Sequence, residues 1–179
     1  MRLHFKGRLL KLLTKDTRLP NGHRITLEIV EHPGAVVIVP FLDSNRIIFL
    51  RQFRPVVGRT LCELPAGTLN EGEGLLRCAK RELAEETGYK ARRFLRLGKI
   101  FPVPGYSTET MTIFKAQGLS SPAVTSPQRR KAEGYPLKKD PDEILKVCTL
   151  SRAQIQSLFQ RGLLHDAKTI CALVFCGIL

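Results

Sequence analysis

At 179 residues, 43% of them hydrophobic, the chain is long enough to bury one real core and too short for two generous ones. No apolar run reaches the length of a membrane span. Five scattered cysteines without a C-x-x-C pair exclude a zinc ribbon or a disulfide framework, which leaves buried free thiols in a reducing cytoplasm. The net charge of +13 points to an anionic partner, either a small phosphorylated molecule or nucleic acid.

In chain order, residues 1–32 read as two or three strands, with Pro20-Asn21-Gly22 as the turn signal between RLLKLLTKDTRL and HRITLEIVEH. The opening stretch mixes basic and apolar residues without a continuous apolar segment or a small-residue cleavage site, so no signal peptide is indicated. Gly34 to Pro40 is an unbroken β-branched run expected to be a strand buried on both faces. Asp43-Ser44-Asn45 makes a turn, and Arg46 to Phe53 returns as a strand. Thr60 to Leu64 is a short strand, and a glycine-bounded loop leads from it into a helix over Leu75–Glu85.

Gly88 is the natural C-terminal stop of that helix. Its 3.6-residue periodicity puts Leu75, Leu76, Ala79 and Leu83 on one apolar stripe. Glu82, Glu85 and Glu86 fall together on the flank of the stripe, with Arg77, Lys80 and Arg81 farther round. Strands are expected again over residues 92–103 and Met111–Ala116. Residues 118–142 lose periodicity and collect Ser, Pro, Lys and Arg, which reads as a long mobile loop. A strand over Glu143–Leu150 follows, then a helix capped by Ser151 and a last helix capped by Asp166. There are no internal repeats. Strands interleaved with two or three helices argue one α/β domain, an α/β/α sandwich around a mixed sheet.

The chemistry is concentrated in residues 67–89, GTLNEGEGLLRCAKRELAEETGY. Carboxylates at i, i+3 and i+4 repel one another, so Glu82, Glu85 and Glu86 together call for a cation. Oxygen ligands on one rigid face suit a hard divalent ion such as Mg²⁺ or Mn²⁺. An acidic cluster alone would more often be a solvated helix edge. The full set is Gly67, Glu73, Arg81-Glu82-Leu83, Glu85-Glu86 and Gly88. Seven such Gly, Glu and Arg positions at fixed offsets would arise by chance in fewer than about one chain in a million.

This segment resembles the Nudix box, with Tyr89 where the family usually has an aliphatic residue. Two further stretches, Arg51-Gln52-Phe53-Arg54-Pro55 with Glu63-Leu64-Pro65-Ala66-Gly67, and Phe101 to Glu109, look like the ADP-ribose pyrophosphatase branch. That branch carries a proline about sixteen residues beyond the box, the position of Pro104 here.

The resemblance implies a Nudix-type α/β/α sandwich and metal-dependent hydrolysis of nucleoside-diphosphate sugars, first among them ADP-ribose to AMP and ribose 5-phosphate. It implies metal ligation by Glu82, Glu85, Glu86 and the carbonyl of Ala66, with Glu73 and Arg81 as a structural pair. Arg54 and Arg51 would face the phosphates, because a guanidinium matches phosphate oxygens bidentately. Gly67, Pro104 and Gly105 would border the substrate. A loop base is sought among Glu109, Asp140, Asp142 and Glu143, with Glu143 preferred although Pro141 interrupts the usual acidic position. The resemblance also implies a homodimer in which the N-terminal hairpin reaches toward the partner.

Two other readings stand beside it. One is a pyrophosphohydrolase of RNA 5′ ends or dinucleoside polyphosphates, favoured by the basic charge and opposed by Pro104 and the RQFRP segment. The other is a nucleotide sensor that has kept the box and lost turnover, opposed by the presence of every box acid.

Overall fold

The computed structural model describes residues 1–120 and 145–179. Three sheets organise them. The N-terminal sheet is antiparallel, β1 (Arg2–Lys6), β2 (Lys11–Arg18) and β3 (Arg24–Glu31), with the Pro20-Asn21-Gly22 turn joining its last two strands. The central sheet has the order β7-β4-β9-β8, from β7 (Ala66–Thr68), β4 (Ala35–Pro40), β9 (Met111–Ser120) and β8 (Lys90–Ile100). It is mixed, because β4 and β9 run parallel while β7 and β8 pair antiparallel to their neighbours. The third sheet has the order β10-β5-β6, from β10 (Leu145–Ser151), β5 (Arg46–Arg54) and β6 (Arg59–Glu63).

Strand β4 explains the layering. All six of its residues are buried, as its unbroken apolar run predicts. Val36 and Ile38 point one way, with Phe114 and Ala116, onto Cys78, Ala79 and Leu83 of helix α1 (Leu75–Thr87). Ala35, Val37 and Val39 point the other way, onto Ile47 and Phe49 of β5. The same core takes in Ile155 of α2 (Arg152–Gln160) and Ala172 and Leu173 of α3 (Ala167–Phe175). The mixed sheet is thus enclosed by helix on one face and by sheet and helices on the other, an α/β sandwich.

Both expected caps form. Ser151 closes a full capping box with Gln154, and the Asp166 side chain accepts from the Thr169 amide. Helix α1 ends where Gly88 turns left-handed at φ 76°, donating its N–H to the Ala84 carbonyl.

Several expectations need correction. Leu76 is 45% exposed and lies past the edge of the α1 stripe, where Cys78 is buried instead. Arg81 does not sit apart from the acids but folds back among them. Strand β7 was hidden in what reads as loop, since three small residues carry no period; the edge of β4 recruits it. Strand β9 runs on through Gly118 to Ser120, and the rest of the expected 118–142 loop lies outside the described residues, as does Glu143. Among the five free cysteines only Cys78 is fully buried. Among the described residues, no helix is long and apolar enough to cross a membrane.

Candidate functional site

The site begins with the turn from β6 into β7. Leu64 is buried and fastened through its amide to the Thr169 hydroxyl at 2.8 Å, and the Pro65 carbonyl accepts from Ile38 N at 2.8 Å. These anchors deliver Ala66 and Gly67 to the edge of β4, opposite Val37 and Val36. Helix α1 crosses this edge. Glu86 is buried there and accepts from the Ala66 amide at 3.0 Å.

Gly67 has a steric reason to be glycine. A Cβ built on it would lie 1.9 Å from the Glu82 carboxyl carbon, so only a hydrogen allows Glu82 against the strand. The position that the resemblance assigned to substrate is therefore where the backbone makes room for an acid.

Arg81 ties the acidic face together. Its Nε and Nη2 grip both oxygens of Glu73 at 2.9 and 2.8 Å, and Nη2 also donates to the Thr68 carbonyl at 3.1 Å. Its Nη1 donates to Glu82 at 2.6 Å and to Glu85 at 3.0 Å. The expected Glu73–Arg81 pair is present and bidentate. The Arg81 guanidinium, together with the Asn70 amide, holds the Glu73 carboxyl down at about 2. Arg81 itself is pushed well above the ordinary guanidinium range, first by its bond to Glu73. One arginine thus closes the box loop onto the helix and offsets the repulsion among the helical acids.

Glu82, Glu85, Glu86, Ala66 and Gly67 all line one open cleft of about 1400 Å³. Their oxygens are the hard donors that Mg²⁺ or Mn²⁺ prefers, on a rigid helix beside an anchored strand. That chemistry fits a divalent ion. Among the described residues, however, no three His, Cys, Asp or Glu side chains are gathered closely enough to hold a metal ion, and Arg81 is bonded to Glu82 and Glu85.

On the far wall of the cleft stands Arg54, as expected, with two companions to which the sequence reading gave no role, Glu63 and Lys168. Arg54 donates from Nε and Nη2 to both oxygens of Glu63, at 2.8 and 2.6 Å. Lys168 Nζ donates to the same Glu63 carboxylate and, at 2.8 Å, to Asp166. Glu63 is only 1% exposed. Burial pushes its carboxyl up, but Arg54 and Lys168 outweigh that and leave it below its ordinary value. Arg54, Asp166 and Lys168 line the cleft; they join β5 to the N-terminus of α3. The signal that could have found Lys168 is the D-A-K-T cap sequence at 166–169, in which Asp166 and Thr169 form the cap and the Lys has no capping duty of its own.

Other expected site residues fall elsewhere. Arg51 is exposed, paired across the sheet with Lys146 and Cys62, and does not line the cleft. The reason is strand alternation: it differs from Arg54 by an odd number of residues and points away from it. Pro104 and Gly105 lie exposed in a turn beyond the cleft lining, which Pro102 and Glu109 do reach. That turn is bonded to the N-terminal sheet through Val30, whose amide donates to Tyr106 O at 2.8 Å and whose carbonyl accepts from Thr108 N at 3.0 Å. Of the loop-base candidates only Glu109 is described, and it lines the cleft 3.9 Å from His32.

Comparison with known proteins bears on this cleft. The family profile of the NUDIX domain matches residues 31–173. An ADP-ribose pyrophosphatase of Bacillus subtilis is 35% identical over 171 residues, covering 96% of this chain and 86% of its own. A methanol dehydrogenase activator of Bacillus methanolicus is 33% identical over the same shares of the two chains. A solved structure described as an ADP compounds hydrolase shares the fold, with a TM-score of 0.74 at 24% identity over 98% of this chain and 88% of that one.

Proposed function

The chain belongs to the Nudix family, and on that premise we propose that it is a hydrolase of nucleoside-diphosphate sugars, acting on ADP-ribose to give AMP and ribose 5-phosphate. The observation that carries this is the two-sided cleft: acids of α1 on one wall, guanidinium and ammonium groups on the other. A diphosphate requires that pairing, since metal-neutralised oxygens and directional cationic donors act on the same group. The Bacillus subtilis relative bears the name of the ADP-ribose activity.

Glu82, Glu85, Glu86 and the carbonyl of Ala66 would hold Mg²⁺ or Mn²⁺. When bound, such ions make coordinated water nucleophilic near neutral pH and neutralise phosphoryl charge. The chain's own contribution is placement. Gly67 lets Glu82 approach the strand, Glu86 fixes the Ala66 peptide, and Arg81 keeps the acids in one array. Arg54, with two of its five donors spent on Glu63, offers the others to the diphosphate from a fixed plane. Glu143 remains the proposed base.

The protein would work in the cytoplasm as one hydrolase domain and a homodimer. Leu3, Phe5 and Leu12 of the N-terminal sheet are exposed, as is Leu9 in the turn between its first two strands, and this apolar surface supports a partner contact there. The test is phosphatase-coupled turnover with Mg²⁺ across ADP-ribose, GDP-mannose, UDP-glucose, diadenosine polyphosphates and 5′-triphosphate RNA. Preference for ADP-ribose is the expected result; preference for the RNA would replace this reading.

A further inference from the structure

Lys168 has more partners than a structural role requires. A buried Glu63 already has one bidentate guanidinium, the strongest pairing a carboxylate can find in a protein. Lys168 adds a second cation to the same carboxylate and holds Asp166 with the same ammonium, while its own side chain is only 14% exposed. Asp166 does not need it either, since its other oxygen caps α3 through the amide and hydroxyl of Thr169, at 3.1 and 2.5 Å.

The consequence lies in the charge of the wall. Glu63 and Asp166 are balanced by Arg54 and Lys168, so that side of the cleft is neutral yet rich in N–H donors. Without the ammonium, two carboxylates would share one guanidinium a few ångströms from where an anion must sit. Arg54 would then be drawn toward acids instead of toward the cleft, where its side chain is 40% exposed. The ammonium also donates to Glu63 Oε2, the oxygen that Arg54 Nη2 holds, and so fixes the carboxylate that sets the plane of the guanidinium.

We propose that Lys168 is a positioning residue for substrate: by bridging Glu63 and Asp166 it holds Arg54 on the diphosphate track and keeps that wall from turning anionic. This rests on the cleft being the diphosphate site. Lys168 acts through Arg54, so its effect belongs to binding and is coupled to that residue.

The experiment is a double-mutant cycle of Lys168→Met and Arg54→Ala with two readouts. Affinity for ADP-ribose is measured calorimetrically in EDTA, where no hydrolysis occurs, and KM and kcat are measured with Mg²⁺. Lys168→Met should weaken affinity and raise KM about tenfold, with kcat changed by less than about threefold. Lys168→Arg should recover most of the loss. In the Arg54→Ala background, Lys168→Met should add less than about twofold. Unchanged affinity, full additivity with Arg54→Ala, or a fall in kcat at constant KM would each overturn the proposal.

If Lys168→Met does not fold, Asp166→Asn keeps a capping oxygen while loosening the ammonium. A loss of affinity of about threefold or more in that variant supports the role, and no loss overturns it. Wild-type protein that binds ADP-ribose in EDTA but never hydrolyses it would sink the assigned reaction, while the affinity ratios still decide Lys168. Absence of binding by the wild type would sink both.

Discussion

The two walls of the cleft carry comparable numbers of charged groups but are built on opposite plans. The acidic wall is local: Glu73, Arg81, Glu82, Glu85 and Glu86 lie within one loop and one helix, and Arg81 reaches its partners across one to eight residues. The cationic wall joins a hairpin pair, Arg54 and Glu63, to a distant helix. Lys168 and Glu63 are 105 residues apart, as are Leu64 and Thr169 just behind them. A helix fixes the first arrangement by its own geometry, whereas the second exists only when β6 and α3 have docked.

This contrast can be broken by mutation. The largest effect should come from Glu86→Gln, which keeps the hydrogen bond to Ala66 but removes a charge that lines the cleft and is proposed to hold the metal. Its kcat should fall by more than the roughly 100-fold typical of losing an outer-shell partner, with an unchanged circular dichroism spectrum. Near wild-type turnover would remove Glu86 from the site.

Gly67→Ala comes next. The new Cβ must push the end of the Glu82 side chain aside, so a marked drop in kcat should come with a stability change of less than about 1 kcal/mol. Denaturant titration and kinetics on the same sample check both. On the opposite wall, Glu63→Gln leaves two cations around a buried neutral amide. It should cost about 3 kcal/mol in urea unfolding and raise KM; a stable protein with unaltered KM would make the wall decorative.

A smaller effect should appear with pH. The Glu73 carboxyl is lowered from 4.5 to about 2 in the folded chain, so its contribution is complete above 4.5 and lost as pH falls through about 2. The stability difference between wild type and Glu73→Gln should therefore shrink across that window. A constant difference from pH 5 to pH 2 would contradict the Arg81 clasp. Smallest of all, Arg51→Ala should leave KM within about twofold, because Arg51 points away from the cleft.

Much of the acidic wall was readable in advance, since spacing along a helix is itself geometry: the helix, its Gly88 stop and the grouping of Glu82, Glu85 and Glu86 follow from offsets, while the Glu73–Arg81 pair came from the family resemblance. The same holds for β4, whose apolar run demanded cover on both faces, and for the Ser151 and Asp166 caps, which need only their next three residues.

Other features depended on what the chain meets after folding. Arg51 and Arg54 look alike in sequence, and only strand alternation against a particular cleft separates them. Three small residues became β7 because β4 offered an unpaired edge. Glu63 became the hub of the cationic wall because α3 docks its cap beside it. The sequence by itself determined the periodic and near-neighbour interactions, whose energies are set within a few residues. Tertiary structure alone decided the contacts of the β5–β6 hairpin with α3, because nothing local encodes which distant groups a buried carboxylate will find.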